Sequence, residues 1–235
     1  MTTGTATPYP FNVFVITLTP TPSNTPTPVA FAETLTPTPT ATSTPAAIPA
    51  ELKGKIVFLS TRSGAEAPYV MNADGSNVLR LTSSWPHQYL ADRENRAPEG
   101  GWVLGVANAN TKFSTGTKIV LFDANQREST LFEDGAISYD PVFAPDSYHV
   151  AFVSTATGRD EIYVMNRDGL ELHQLTNSQW EWNKKPTWSP DGQHIAWWSN
   201  RETGHRQIWE MNADGTNEVN ISNNPFDDYD PIWVK

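Results

Sequence analysis

The chain contains no cysteine, which removes disulfides, thiolate zinc sites and cysteine nucleophiles together. Positive charge is scarce. Sixteen Lys and Arg stand against 26 Asp and Glu, a formal net charge of −10, and no basic face of the kind that binds nucleic acid is visible. No run approaches the roughly 18 apolar residues that a membrane helix needs. Catalytic signatures are missing as well. There is no Gly-x-Ser-x-Gly elbow, no His-Glu-x-x-His spacing among the five His, and no Gly-rich phosphate loop. The chain therefore reads as a non-enzyme with no catalytic residues. What it has in quantity is aromatic: nine Trp, seven Tyr and ten Phe, a load typical of β-architecture and of binding surfaces.

Composition changes abruptly near residue 50. Residues 1–50 hold 15 Thr and 10 Pro with a single charged residue, Glu33. Proline locks φ and biases the residue before it away from helix, so an extended arm is expected, mostly polyproline II. Such a segment cannot bury enough apolar surface to fold alone. Its Thr/Pro density is also that of O-glycosylated stalks, with Thr19, Thr21, Thr25, Thr27, Thr36, Thr38 and Thr40 as candidate acceptors and Asn220 in the one N-glycosylation sequon. Within the arm, Phe11-Asn12-Val13-Phe14-Val15-Ile16-Thr17-Leu18-Thr19 is β-branched and aromatic and is closed by Pro10 and Pro20. This predicts a strand buried on both faces, with Phe11, Val13, Phe14, Val15, Ile16 and Leu18 seeking a sheet edge. A secretory signal is not expected, because no Lys or Arg precedes this short apolar stretch.

Residues 51–235 repeat. Met71-Asn72-Ala73-Asp74-Gly75 returns as Met165-Asn166-Arg167-Asp168-Gly169 and as Met211-Asn212-Ala213-Asp214-Gly215. A degenerate copy, Phe122-Asp123-Ala124-Asn125-Gln126, falls between the first two. Ile56-Val57-Phe58-Leu59-Ser60 matches Val150-Ala151-Phe152-Val153-Ser154 and Ile195-Ala196-Trp197-Trp198-Ser199, with Trp102-Val103-Leu104-Gly105-Val106 as the fourth member. A third element, Asp140-Pro141-Val142-Phe143, recurs as Lys185-Pro186-Thr187-Trp188 and as Asp230-Pro231-Ile232-Trp233. Each unit of roughly 46 residues reads as four short strands, with an Asp-Gly hairpin turn whose Gly is left-handed. This predicts an all-β fold, a four-bladed β-propeller. The chain ends on a first strand, and the first unit lacks one. The C-terminal strand is therefore expected to complete blade one. A larger ring built from two chains is the alternative.

These elements resemble the TolB-type (PD40, WD40-like) β-propeller repeat, over about residues 55–235, with the second repeat matching poorly. The resemblance implies non-catalytic protein binding at the cell envelope, or a propeller attached to a separate enzyme, and no attached enzyme is present in this sequence.

Two functional expectations follow. In the first, the chain is an extracellular or cell-surface structural protein, a bead that polymerises with itself through the 11–19 strand and carries covalent glycans on its arm. In the second, it is a TolB-like module that binds a peptide, a glycan or an envelope protein, with Trp85, Trp180 and Trp182 in loops forming the contact surface. No cofactor is expected. Asp227, Asp228 and Asp230 are the weak candidates for calcium, which needs six to eight oxygens. The repeated Asp74, Asp168, Asp214, Asp146 and Asp191 are read as turn residues bonding backbone amides.

Overall fold

The structure, a computed structural model, describes residues 48–109 and 116–235. The predicted arm strand over 11–19 and the threonine acceptors lie outside the described residues. One compact unit spans Pro49–Lys235.

Four antiparallel sheets make up this unit. After a 3-10 turn at Ala50–Leu52, sheet I begins with β1 (Ile56–Ser60), β2 (Ala67–Met71) and β3 (Leu79–Arg80); the helix α1 (Trp85–Ala91) follows. Sheet II contains β4 (Val103–Asn108), β5 (Thr117–Phe122) and β6 (Glu128–Phe132). Sheet III contains β7 (Ser138–Phe143), β8 (His149–Ser154), β9 (Glu161–Asn166) and β10 (His173–Gln174). Sheet IV contains β11 (Asn183–Trp188), β12 (His194–Ser199), β13 (Gln207–Asn212) and β14 (Val219–Asn220). The last strand, β15 (Asp228–Trp233), returns to sheet I and pairs with β1, setting Ile56 opposite Trp233 and Ser60 opposite Asp228. That pairing is the one expected from the missing first strand. Among the described residues no helix is long and apolar enough to cross a membrane.

Burial explains the strand types. β8 and β12 are covered on both faces, and their sequences, His-Val-Ala-Phe-Val-Ser and His-Ile-Ala-Trp-Trp-Ser, are continuous apolar runs rather than alternating ones. Three of the four outermost strands, β3, β10 and β14, are only two residues long, which leaves little edge there for another chain to pair with; β6 of sheet II, five residues and mostly exposed, is the exception. Phe143, Trp188, Trp197 and Trp233, the large aromatics of the repeated strands, are all buried.

Three apolar clusters lie between sheets. One joins II to III through Leu104, Ile119, Phe143 and Phe152. A second joins III to IV through Val153, Ile162, Trp188 and Trp197. The third joins IV to I through Ala196, Ile208, Phe58 and Trp233.

Two devices reinforce each of these junctions. In the first, the glycine of a hairpin turn presses on the outer strand of the preceding sheet. A Cβ on Gly75 would run into the Ile221 carbonyl, one on Gly169 into that of Leu131, and one on Gly215 against Leu175. All three glycines have positive φ, so the turn needs glycine for its conformation and for its contact. In the second device, a polar side chain at the start of a third strand binds the first strand of the next sheet. Thr117 exchanges hydrogen bonds with the Ser138 backbone at 2.6 and 2.8 Å. The Glu161 carboxylate accepts from Asn183 Nδ2 at 3.0 Å. Gln207 accepts from the Asn224 amide, whose side chain donates to Asp228 at 2.6 Å.

Among the described residues the junction between sheets I and II has neither device. Its counterpart residue on β2 is Ala67, set opposite Ser60 as Glu161 is opposite Ser154. Its hairpin turn carries Gln126, at φ +60, in place of glycine. Here α1 packs against β1 and β15, with Pro86 pre-organising its first turn. The segment after it takes the place of a first strand in sheet II. Leu104 N donates to Asn95 O at 2.7 Å, Asn95 Nδ2 donates to Leu104 O at 2.8 Å, and Arg96 bridges to Val103. Trp85, expected in a loop, is thus the first residue of a helix.

Candidate functional site

The first strands of sheets I, III and IV share one irregularity. Proline has no N–H to give to the ladder, and the pairing slips by one residue where Pro141, Pro186 and Pro231 fall. At each bulge the residue before proline is left-handed: Asp140 at φ +51, Lys185 at +54 and Asp230 at +49. Bulges re-aim side chains, and all three line one cavity. His87 and Ala91 of α1, Glu94, Asn95 and β4 complete its wall, around a volume of about 290 Å³.

Charges of both signs meet in this cavity. Lys185 Nζ bonds Asp140 Oδ1 at 2.8 Å. Burial pulls Lys185 down, but the Asp140 carboxylate, helped by Asp230 and Glu94, outweighs it and holds the amine above its ordinary value. Burial raises Asp230 above the usual carboxylate range despite Lys185 and His87. His87 Nε2 lies 2.8 Å from the Asp230 carbonyl, which fixes that nitrogen as the donor. Glu94 sits deepest. Thr187 Oγ1 donates to its Oε1 at 2.5 Å, and the same hydroxyl accepts from Trp233 N at 3.0 Å. The Glu94 carbonyl accepts from Phe143 N at 3.3 Å. Burial pushes its carboxyl up to about 7, against the pull of Lys235, Thr187 and Lys185. Lys235 donates to the Phe143 carbonyl at 3.0 Å, and burial lowers its amine.

A larger cavity, about 580 Å³, lies at the turns of sheets III and IV. Its aspartates are engaged by their own turns: Asp146 accepts from His149 N, Asp191 from Gln193 N and Asp214 from Thr216 N. This is the turn chemistry expected of the repeated aspartates, and Asp74 shows it too, whereas Asp168 accepts from the Tyr148 hydroxyl and Asn166 binds the amides of its turn.

The aromatic candidates separate. Trp180 and Trp182, 75% and 51% exposed, lie in the loop before β11, and Trp85 belongs to α1 beside sheet I. Each exposed indole is backed by a cation: Arg159 stands 4.9 Å from the Trp180 ring and Lys184 5.3 Å from that of Trp182. Lys184 also bonds Asp160 at 3.2 Å and lies over Tyr139. Since Lys185 lines the cavity, Trp182 stands three residues from its wall.

The aspartates considered for calcium point to different partners. Asp227 bonds Arg206 at 3.1 Å. Asp228 is fully buried, holding Arg62 at 2.5 Å and Asn224 at 2.6 Å. Asp230 faces the cavity. Among the described residues no group of three His, Cys, Asp or Glu is placed to hold a metal ion. Asn220 Nδ2, the atom that would carry a glycan, is buried without a partner.

Sequence reasoning did not single out Glu94, Asp140, Lys185 or His87. A signal existed for two of them: a charged residue directly before proline in every complete repeat. Glu94 and His87 come from the one segment that departs from the repeat, so no periodicity marks them.

An all-β chain of four antiparallel sheets, three of four strands and one of three, with first strands meeting at a polar cavity, defines a propeller-type repeat protein. The family model PD40, TolB beta propeller domain, matches residues 109–234, and the chain belongs to this family. It is 42% identical over 186 residues to the Tol-Pal system protein TolB of Anaeromyxobacter sp. (strain K), covering 79% of this chain and 42% of that protein. It is 28% identical over 99 residues to the uncharacterized peptidase YuxL of Bacillus subtilis (strain 168), covering 40% of this chain and 15% of the relative. Among solved structures, TolB from Acinetobacter baumannii superimposes with a TM-score of 0.45 at 19% identity, over 74% of this chain and 42% of that one. The chain spans less than half the length of these relatives.

Proposed function

We propose that the chain is a non-catalytic binding module, a TolB-type propeller of four blades brought round through β15, which receives a protein partner of the cell envelope. The observation that carries this reading is the cavity of Glu94, Asp140, Lys185 and Asp230 with Trp182 three residues from its wall. Exposed tryptophans are the usual anchors of protein recognition, because an indole buries a large area at small entropic cost. The mixed charges of the recess supply register rather than bulk affinity. Family membership supports the same reading, as does the relative named for the Tol-Pal system.

Self-assembly through Phe11–Thr19, with glycans on the arm, rests on residues outside those described, and no feature of the described surface or of the relatives favours it. The binding reading is tested with the full chain immobilised against an envelope extract of its source. Specific retention of a protein by the natural chain, lost in the Trp180→Ala/Trp182→Ala double variant, is the expected result. Retention unchanged in the double variant would overturn the assignment of this face.

A further inference from the structure

We propose that Glu94 is a proton-controlled latch, which seats α1 and the 94–96 segment across the junction of sheets I and II when neutral and loosens them when charged. The geometry begins with what that junction lacks. The other three each have an apolar cluster, a turn glycine against a neighbouring carbonyl, and a polar link from a third strand to the next sheet. Between I and II, Ala67 and Gln126 stand where those links would be. The span is made instead by α1 lying on β1 and β15 and by the residues that follow it.

Two residues of this span are bonded to the sheets at the centre, while Glu99, further along, donates its amide to Ser147 and accepts from Arg167. His87 donates to the Asp230 carbonyl at 2.8 Å. Glu94 accepts from Thr187 at 2.5 Å through its carboxyl and from Phe143 N at 3.3 Å through its carbonyl. One residue thus joins the segment to sheets III and IV, and through the shared Thr187 hydroxyl to Trp233 of sheet I.

The groups around that carboxyl decide what its ionisation does. β7 presents Asp140, β11 presents Lys185, β15 presents Asp230, α1 presents His87, and Lys235 follows β15; β4 presents only Leu104, Gly105 and Val106. Lys185 is already bonded to Asp140, and Lys235 to the Phe143 carbonyl. A charged Glu94 is therefore a further carboxylate beside Asp140 and Asp230; the pull of Lys235 and Lys185, the latter shared with Asp140, does not offset the hydration that burial takes from it. Neutral, it keeps an acceptor for Thr187 and carries no such penalty. The carboxyl's displacement to about 7 agrees with this placement and puts the change near neutrality. The inference concerns the latch and not the partner, so its test needs no ligand and is independent of the binding reading.

Amide hydrogen exchange on the full chain tests it, at about pH 6 and about pH 8, each rate corrected for its intrinsic pH dependence. The reporters are the amides of Phe143 and Leu104, bonded to Glu94 and Asn95, with Ala196 of β12 as control. Their protection should fall at least about tenfold relative to the control at the higher pH, the response of a local opening favoured by about one pKa unit of uncompensated charge. Glu94→Gln should abolish the fall. Unchanged protection in the natural chain, or the same fall in the variant, would overturn the latch. Should the variant fail to fold, carbon NMR titration of the Glu94 carboxyl in the natural chain decides. A midpoint near neutrality supports the proposal, and one in the ordinary glutamate range overturns it.

Discussion

Asn183 binds the buried carboxylate of Glu161 through its amide nitrogen at 3.0 Å and takes the Trp197 indole N–H on its oxygen at 2.9 Å. Glu161 also accepts from Thr176 Oγ1 and Ser178 N, at 2.6 and 2.7 Å. The link between sheets III and IV is thus a carboxylate satisfied by three donors. Glu161→Ala strands those donors and should cost about 2–4 kcal/mol in urea unfolding. Glu161→Gln should cost less, about 1–3 kcal/mol, because the amide keeps one acceptor oxygen while its NH2 faces one of these donors.

Gly169 should tolerate no side chain. At φ +75, with the Leu131 carbonyl where a Cβ would stand, Gly169→Ala suffers backbone strain and a clash with backbone. A loss of about 2–3 kcal/mol is expected. Gly158, also at positive φ but with open space around it, should lose only about 1 kcal/mol in the same substitution. Thermal melts of the two variants side by side separate conformation from contact.

Stability should fall as pH rises through neutrality. Glu94 is raised from 4.5 to about 7, so between those values the folded chain binds more protons than the unfolded one. The stability this contributes is complete below the unfolded value and is lost as pH rises through the folded one. Urea midpoints taken from about pH 5 to about pH 8 should show a decline equivalent to roughly 2–3 kcal/mol, flattened in Glu94→Gln.

Trp180→Ala and Trp182→Ala should change stability by no more than about 0.5–1 kcal/mol, alone or together, since both rings are exposed and each backing cation gives up only a solvent-facing contact. Denaturation of the double variant checks this. A large loss of stability would mean that the rings serve the fold rather than a partner.

How far the sequence discloses this molecule depends on where it repeats. The Asp-Gly turns, the Ile-Ala-Phe-x-Ser strands and the Pro-x-Trp strands mark the sheets because each performs the same physical task in successive copies. The return of β15 to β1 was legible for the same reason, as a first strand left over at one end and missing at the other. α1 was not, because a seven-residue helix carries too few turns to show a period. Glu94 was hidden with it, and its raised carboxyl comes from burial among segments distant in sequence, with Lys235, Thr187 and Lys185 opposing the shift. Trp180 and Trp182 were legible as exposed loop residues. The stacking of Trp180 on Arg159 depends on how distant segments meet, which no local pattern encodes, whereas Trp182 and Lys184 are only two residues apart.

Site-directed photo-crosslinking of the full chain in its native cells tests the proposed binding face most directly, with the crosslinking residue placed at Trp182 or at Glu128, an exposed residue of β6. The account predicts a discrete protein adduct from position 182 and none from position 128. Adducts of equal yield from both positions, or none from 182 while the chain remains folded, would contradict it.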